Sequence, residues 1–247
     1  MTSARYTFGD GDVATDRLAV VASVFEPTSR RLMASAPRHA GRAVDLGCGP
    51  GHTTRLLADV TGARATVGLD ASERFIDRAR STHGAADPSL TFAVHDATRV
   101  PLPGGPADVV HARLLLAHLP DPPALVERWR SALQPGGALL RDEVAAIDPP
   151  PGVLRDYLAL ATALVAAGGA DMYAGRLLEP LGGEAVAHPV DAPVAARMFG
   201  MNLVAWGDDA VRRGLVDPAG VDRLAEGLAA VRAGTVVWTL RQVVLTA

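Results

Sequence analysis

The sequence has no lysine, a single cysteine and few aromatic residues. All 24 basic residues are arginines, which excludes mechanisms that use a lysine nucleophile or a lysine Schiff base. The single cysteine, Cys48, excludes a disulfide framework and a cysteine-ligated metal cluster. Aromatic residues make up 4% of the chain, so alanine, valine and leucine must supply most of the core.

Long apolar runs and a basic excess are also missing. The most apolar run, residues 157–170, is interrupted by Thr162 and by glycines, and it is shorter than the roughly 20 residues that span a bilayer. Residues 1–16 are polar and acidic without the basic start of a secretory signal, so we expect a cytoplasmic protein with no membrane segment. A net charge of −3 argues against a nucleic-acid partner.

The sequence shows an alternation of predicted strands and helices. With 247 residues, 49% of them hydrophobic, the chain is large enough for one α/β domain. Strands followed by amphipathic helices predict a doubly wound, Rossmann-like sheet that is mostly parallel. A β-branched run near the C-terminus predicts an antiparallel last strand at the sheet edge, and Pro27 is expected to break residues 12–36 into two helices. The five predicted core strands cover residues 42–47, 65–69, 90–94, 108–112 and 138–144.

Glycines and acidic residues gather at the carboxyl ends of these strands, where ligands bind in such sheets. Residues 44–51, VDLGCGPG, place glycines between a strand and a helix, so that the backbone can approach a ligand closely. The glycines alone are compatible with a nicotinamide-binding fold. The acid before the turn, Asp45, and the acids that end the second and third strands, Asp70 and Asp96, favour instead a ligand with a ribose and an adenine.

Several motifs occur in a characteristic order between about residues 40 and 145. They are DLGCGPG (45–51), DAS (70–72), HDA (95–97), ARLLLAHLPD (112–121) and LQPGG (133–137). With them the chain resembles the class I S-adenosylmethionine-dependent methyltransferases, and its flanks resemble small actinobacterial members that modify natural products. The resemblance implies S-adenosylmethionine as cofactor and S-adenosylhomocysteine as product, with Asp70 on the ribose hydroxyls and Asp96 on the adenine amine. It also implies cofactor contacts from Tyr6, Arg17, Asp45, Gly47, Cys48, Gly49, Ala71, Ala97 and Arg113.

The same resemblance divides a single methyltransferase domain, residues 1–247, into four segments. Residues 1–38 are expected to form a helical lid over the cofactor, and residues 40–145 the cofactor-binding core. Residues 150–235 include inserted helices around the acceptor pocket, and residues 236–247 form the final strand. Because the helices outside the core are mostly apolar, we expect a small, largely apolar acceptor, methylated on oxygen or nitrogen in natural-product tailoring.

Two residues near predicted strand ends are candidate general bases. Glu143 follows the fifth strand and His118 lies in the loop after the fourth, both beside the expected methyl position. Asp142, Glu143 and His118 offer too few oxygens for magnesium, so no metal site is predicted. A homodimer is compatible with the sequence. Two alternatives stay open: a cofactor-binding fold member with pericyclic or decarboxylative activity, and a non-catalytic partner subunit.

Overall fold

The structure is a computed structural model that describes residues 10–247. Its centre is a sheet of seven strands: β1 (Arg42–Leu46), β2 (Ala65–Asp70), β3 (Leu90–Val94), β4 (Ala107–Arg113), β5 (Leu133–Asp148), β6 (Glu184–Asp191) and β7 (Thr235–Thr246). Their order across the sheet is β3-β2-β1-β4-β5-β7-β6. Neighbouring strands from β3 to β5 pair in parallel, and β7 pairs antiparallel with both β5 and β6. The predicted fold class is confirmed.

The last strand differs from its predicted place at the sheet edge. β7 lies between β5 and β6, and β6 forms the edge. In β7, Val236, Trp238 and Leu240 are buried, whereas most residues of β6 are exposed or half-buried. A strand with buried side chains is stabilised by partners on both sides, and a mostly exposed strand suits an edge.

In the part of the chain that the structure describes, seven α-helices surround the sheet: α1 (Asp12–Met33), α2 (His52–Thr61), α3 (Glu73–Ala79), α4 (Pro122–Arg130), α5 (Val153–Ala167), α6 (Ala192–Arg212) and α7 (Pro218–Ala229). Ser72 begins α3, since its hydroxyl accepts the amide proton of Phe75. A 3₁₀ helix, Ala174–Leu181, follows α5. None of the helices within residues 10–247 has the length and apolar character needed to cross a membrane.

The prediction that Pro27 breaks the first helical segment is wrong. A single helix, α1, passes through Pro27 without interruption. Val21 and Phe25 before the proline and Leu32 after it are all buried. Burial of such side chains is worth about 1.5–3 kcal/mol each, which together exceeds the cost of about 3 kcal/mol for an internal proline.

The first half of α1 lies over the turn that follows β1. The Leu18 side chain is 3.3 Å from the point where a Cβ on Gly49 would stand. Near the start of the helix, Asp10 accepts a hydrogen bond of 2.9 Å from the Ser72 hydroxyl. Thus α1 crosses the carboxyl ends of β1 and β2, where the sequence predicts the cofactor.

Candidate functional site

The turn after β1 is formed by glycines with left-handed backbone angles. Gly47 and Gly49 have φ values of 66° and 52°, which glycine adopts without a steric penalty. A Cβ on Gly47 would stand 2.7 Å from the Leu115 side chain, so only glycine fits there. The amides of Gly47 and Cys48 both donate to the Leu69 carbonyl. The Cys48 side chain is buried, which raises the pKa of its thiol and keeps it neutral.

Asp70, at the end of β2, faces this turn. Its two oxygens accept the amide protons of Gly49 and Ser72, each at 2.8 Å. Burial raises the pKa of Asp70, while these amide bonds act in the opposite direction. A carboxylate offers about four acceptor positions. The two amide bonds, with the Ala71 amide that also acts on Asp70, leave it capacity for a ligand such as a ribose hydroxyl. The next residue, Ala71, is exposed.

Asp96 lies just after the end of β3 and is the most accessible of the predicted acids. One of its oxygens, Oδ1, accepts bonds from the amide and the hydroxyl of Thr98, at 2.9 and 2.7 Å. The other, Oδ2, is 3.6 Å from Arg99, and the side chain is 47% exposed. Ala97 uses its carbonyl to accept the indole N–H of Trp129 at 2.7 Å. Asp96 thus has one oxygen free of short hydrogen bonds, as an adenine amine would require.

Asp45 has a different environment from that predicted for a cofactor ligand. It is 1% exposed. Its Oδ2 accepts the hydroxyl protons of Thr53 and Thr54, and its Oδ1 is 2.7 Å from His111 Nδ1. Both oxygens therefore have partners inside the protein. This placement favours a role for Asp45 in joining the glycine turn to α2 and β4 rather than a direct bond to the cofactor.

Two arginines are predicted to contact the cofactor. Arg17 lies on α1, and Arg113 lies beneath that helix. Arg113, at the end of β4, donates to the Ser29 hydroxyl at 3.1 Å, and Ser29 donates in turn to Asp142 at 3.3 Å. Arg17 is buried on α1, and its charge acts on His118. Tyr6 lies outside the described residues. The structure thus brings the glycine turn, Asp70 and α1 together, while Arg113 bonds to α1 itself.

Comparisons with known proteins agree with this geometry. Residues 43–137 match the family described as a methyltransferase domain. The chain is 36% identical over 171 residues to trans-aconitate 2-methyltransferase of Methylobacterium radiotolerans, an alignment that covers 68% of this chain and 62% of that protein. It is 32% identical over 141 residues to 27-O-demethylrifamycin SV methyltransferase of Amycolatopsis mediterranei, covering 55% of this chain and 52% of that protein.

Through residues 43–137 the chain is similar to the class I S-adenosylmethionine-dependent methyltransferases. It spans less than two thirds of the length of these relatives. A Haemonchus contortus N-methyltransferase, solved with phosphomonomethylethanolamine and S-adenosylhomocysteine, shares the fold with a TM-score of 0.57 at 18% identity, over 100% of this chain and 61% of that one.

The predicted base Glu143 is fully enclosed. Glu143 Oε1 accepts the amide protons of Leu115 and Leu116, at 3.0 and 3.1 Å, and a bond of 2.5 Å from Arg141. The residue is 1% exposed. Burial raises its pKa, and the charge of Arg141 opposes that effect. These contacts direct the carboxylate into the loop after β4 and do not favour the predicted role as a general base.

The position of Glu143 within its strand explains the difference. The sequence predicts a fifth strand that ends at residue 144, whereas β5 continues to Asp148 because β7 pairs along it. Glu143 lies opposite Arg241 of β7, so it is inside the sheet rather than at its end. The signal that sequence analysis missed is the neighbouring Arg141, a charged residue within an apolar strand.

His118, unlike Glu143, lies where the sequence predicts it, in the loop after β4. It ends a short 3₁₀ helix, Leu116–His118. Burial, and after it the charge of Arg17, lower its pKa to about 4. His118 is therefore neutral at pH 7, but a group with this pKa is a weak base.

Proposed function

We propose that this protein transfers a methyl group from S-adenosylmethionine to an oxygen or nitrogen of a small, largely apolar acceptor. The observation that carries the proposal is the arrangement at the ends of β1 and β2. There a turn that only glycine fits lies beside Asp70, whose carboxylate has spare acceptor positions. This arrangement suits the ribose and the methionine portion of the cofactor.

The protein's own residues have to hold and align the two reactants. When bound, S-adenosylmethionine supplies an activated methyl group that passes to the acceptor in one in-line displacement, which leaves the thioether S-adenosylhomocysteine. Asp70 would hold the ribose hydroxyls, Asp96 the adenine amine, and Leu18 on α1 would cover the glycine turn. Because Glu143 is enclosed and His118 is a weak base, we propose that alignment and exclusion of water supply most of the catalysis.

We expect the acceptor to bind beside the apolar helices. α1, α5 and α6 contribute Phe25, Tyr157 and Phe199 to one buried hydrophobic cluster, with the Tyr157 and Phe199 rings stacked at 4.3 Å. Apolar surroundings of this kind favour an apolar small molecule over a polymer. The similarity to a methyltransferase of a demethylated rifamycin supports an oxygen acceptor of natural-product type.

A carboxylate is the second candidate acceptor. Arg17 is buried near His118 on this side of the site, and an arginine suits a carboxylate ligand. One relative is named for methylation of trans-aconitate, a molecule that carries carboxylates. A carboxylate is already deprotonated at neutral pH, so its methylation needs no general base.

Two measurements test the proposal. Calorimetric titration should show binding of S-adenosylhomocysteine and none of NAD(H); the opposite result would contradict the cofactor assignment. Labelled S-adenosylmethionine should then transfer its methyl to at least one member of a panel of phenols, polyketides, amines and carboxylic acids. Product formed without consumption of the cofactor would support the pericyclic or decarboxylative alternative instead. Size-exclusion chromatography of the same sample tests whether the protein forms a homodimer.

A further inference from the structure

On the face of the sheet opposite α1, a buried set of polar contacts extends from β3 to the loop after β4. Adjacent residues of a strand point to opposite faces: Asp142 bonds to Ser29 of α1, while Arg141 and Glu143 face α4 on the other side. Arg141 is 0% exposed and Glu143 1%. The mechanism proposed above gives neither of them a role in the reaction.

Three side chains make these contacts in sequence. The Trp129 indole donates to the Ala97 carbonyl at 2.7 Å. The guanidinium carbon of Arg141 lies 4.7 Å from the centre of the Trp129 ring, and Arg141 donates to Glu143 at 2.5 Å. Glu143 then accepts the amide protons of residues 115 and 116. We call these three residues, Trp129, Arg141 and Glu143, the buried network.

The two ends of the buried network are two walls of the cofactor site. Ala97 follows Asp96 at the adenine end. At the other end, Leu115 contacts the glycine turn, because its side chain occupies the space where a Gly47 side chain would stand. Leu114 has a φ of 52°, an unfavourable conformation for leucine that persists only where the surroundings hold it. The amides of the next two residues, Leu115 and Leu116, donate to Glu143.

A contribution to stability alone does not explain well why Arg141 and Glu143 form a buried ion pair. A buried ion pair loses much of its attraction to desolvation, and apolar residues of similar size are often equally stabilising. Among residues 10–247, Arg141 Nε and Nη1 have no hydrogen-bond acceptor, so the Trp129 ring face supplies much of the remaining stabilisation. Apolar replacements would fill the same volume but would not bind the amides of the loop.

We propose that Trp129, Arg141 and Glu143 are positioning residues for the cofactor. They hold the loop after β4 against the glycine turn and the Ala97 backbone against the adenine end, without contact with the cofactor. The inference rests on the cofactor assignment under the proposed function.

The test measures S-adenosylhomocysteine affinity of the full chain by calorimetry, together with urea unfolding. Glu143→Leu removes both amide bonds and should weaken binding about 10-fold or more. Glu143→Gln keeps an acceptor oxygen and should lose less. Trp129→Phe keeps an aromatic face but removes the N–H to Ala97 and part of the ring, so it should weaken binding by a few fold. It serves as the test if Glu143→Leu does not fold. Leu228→Ala, a buried position on α7, is the control that lowers stability alone.

A double variant separates positioning from general destabilisation. Trp129→Phe and Glu143→Gln act on one network, so their combined loss of affinity should be smaller than the product of the single losses. Single variants that lose stability as Leu228→Ala does but bind S-adenosylhomocysteine as the wild type does would overturn the inference. A turnover loss of about 100-fold or more in Glu143→Gln, with unchanged affinity, would also overturn it and restore the predicted general base. Absence of binding in the wild type would instead contradict the proposed function.

Discussion

Four carboxylates near the predicted cofactor site have the same chemistry but different surroundings. Asp70 lies at the end of β2 and Asp96 just after the end of β3, whereas Asp45 and Glu143 lie within β1 and β5. Asp70 and Asp96 bond mainly to nearby backbone amides and to Thr98, and they retain acceptor capacity. Asp45 and Glu143 are 1% exposed, with their bonds made inside the protein. A carboxylate at a ligand-binding edge is thus available to a ligand only where the protein has not already satisfied it.

The largest expected effect is loss of stability in Asp45→Ala. The substitution leaves His111, Thr53 and Thr54 without their buried acceptor, and removal of one partner from a buried polar pair costs about 3–5 kcal/mol. Urea unfolding measures the free-energy change, with the exposed Asp59→Ala on α2 as control. Near-normal stability together with lost S-adenosylhomocysteine binding would show that Asp45 contacts the cofactor, as the sequence predicted.

Asp70→Ala should have the largest effect on affinity. It removes charge-assisted bonds to two ribose hydroxyls, worth about 1.5–3 kcal/mol each, so S-adenosylhomocysteine should bind about 100-fold more weakly or worse. Calorimetry measures the affinity. Asp70→Asn keeps the shape of the side chain and loses its charge, so its affinity should lie between those of the wild type and Asp70→Ala. Unchanged affinity in Asp70→Ala would exclude this carboxylate as the ribose ligand.

A pH-dependent effect of similar size is expected from His118. Its pKa is about 4 in the folded protein, against 6.5 as the ordinary value. Between these values the unfolded chain binds more protons, so the stability present above pH 6.5 is lost as the pH falls towards 4. The shift corresponds to about 3 kcal/mol.

His118→Gln should therefore flatten the fall in unfolding free energy over this pH range. The lowered pKa values of His52 and His83 act in the same direction in both proteins, so the difference between the two curves isolates His118. Parallel curves would show that His118 titrates normally.

Features of the fold that depend on neighbouring residues can be predicted from the sequence, whereas features that depend on distant residues cannot. β3 has the limits that were predicted, 90–94, because a local pattern of apolar residues determines them. The burial of Glu143 depends on β7, which pairs with β5 from nearly a hundred residues away. No local pattern contains that pairing, so the sequence identified where the acids gather but not which of them are enclosed.

The smallest expected effect is that of Asp96→Ala, and it sharpens the comparison between the two accessible acids. Asp96 would make one bond to the adenine amine, and the ring's other contacts would remain. A hydrogen bond to a charged group is worth about 1.5–3 kcal/mol, and exposure to solvent favours the lower value, so S-adenosylhomocysteine affinity should fall by about 10-fold. Because the side chain is 47% exposed, unfolding by urea should change little, in contrast to Asp45→Ala. Thr98→Val is the matched control, since it removes the hydroxyl that orients Asp96 but keeps the carboxylate. If Asp96→Ala weakened binding more than Asp70→Ala, the roles assigned to the ends of β2 and β3 would have to be exchanged.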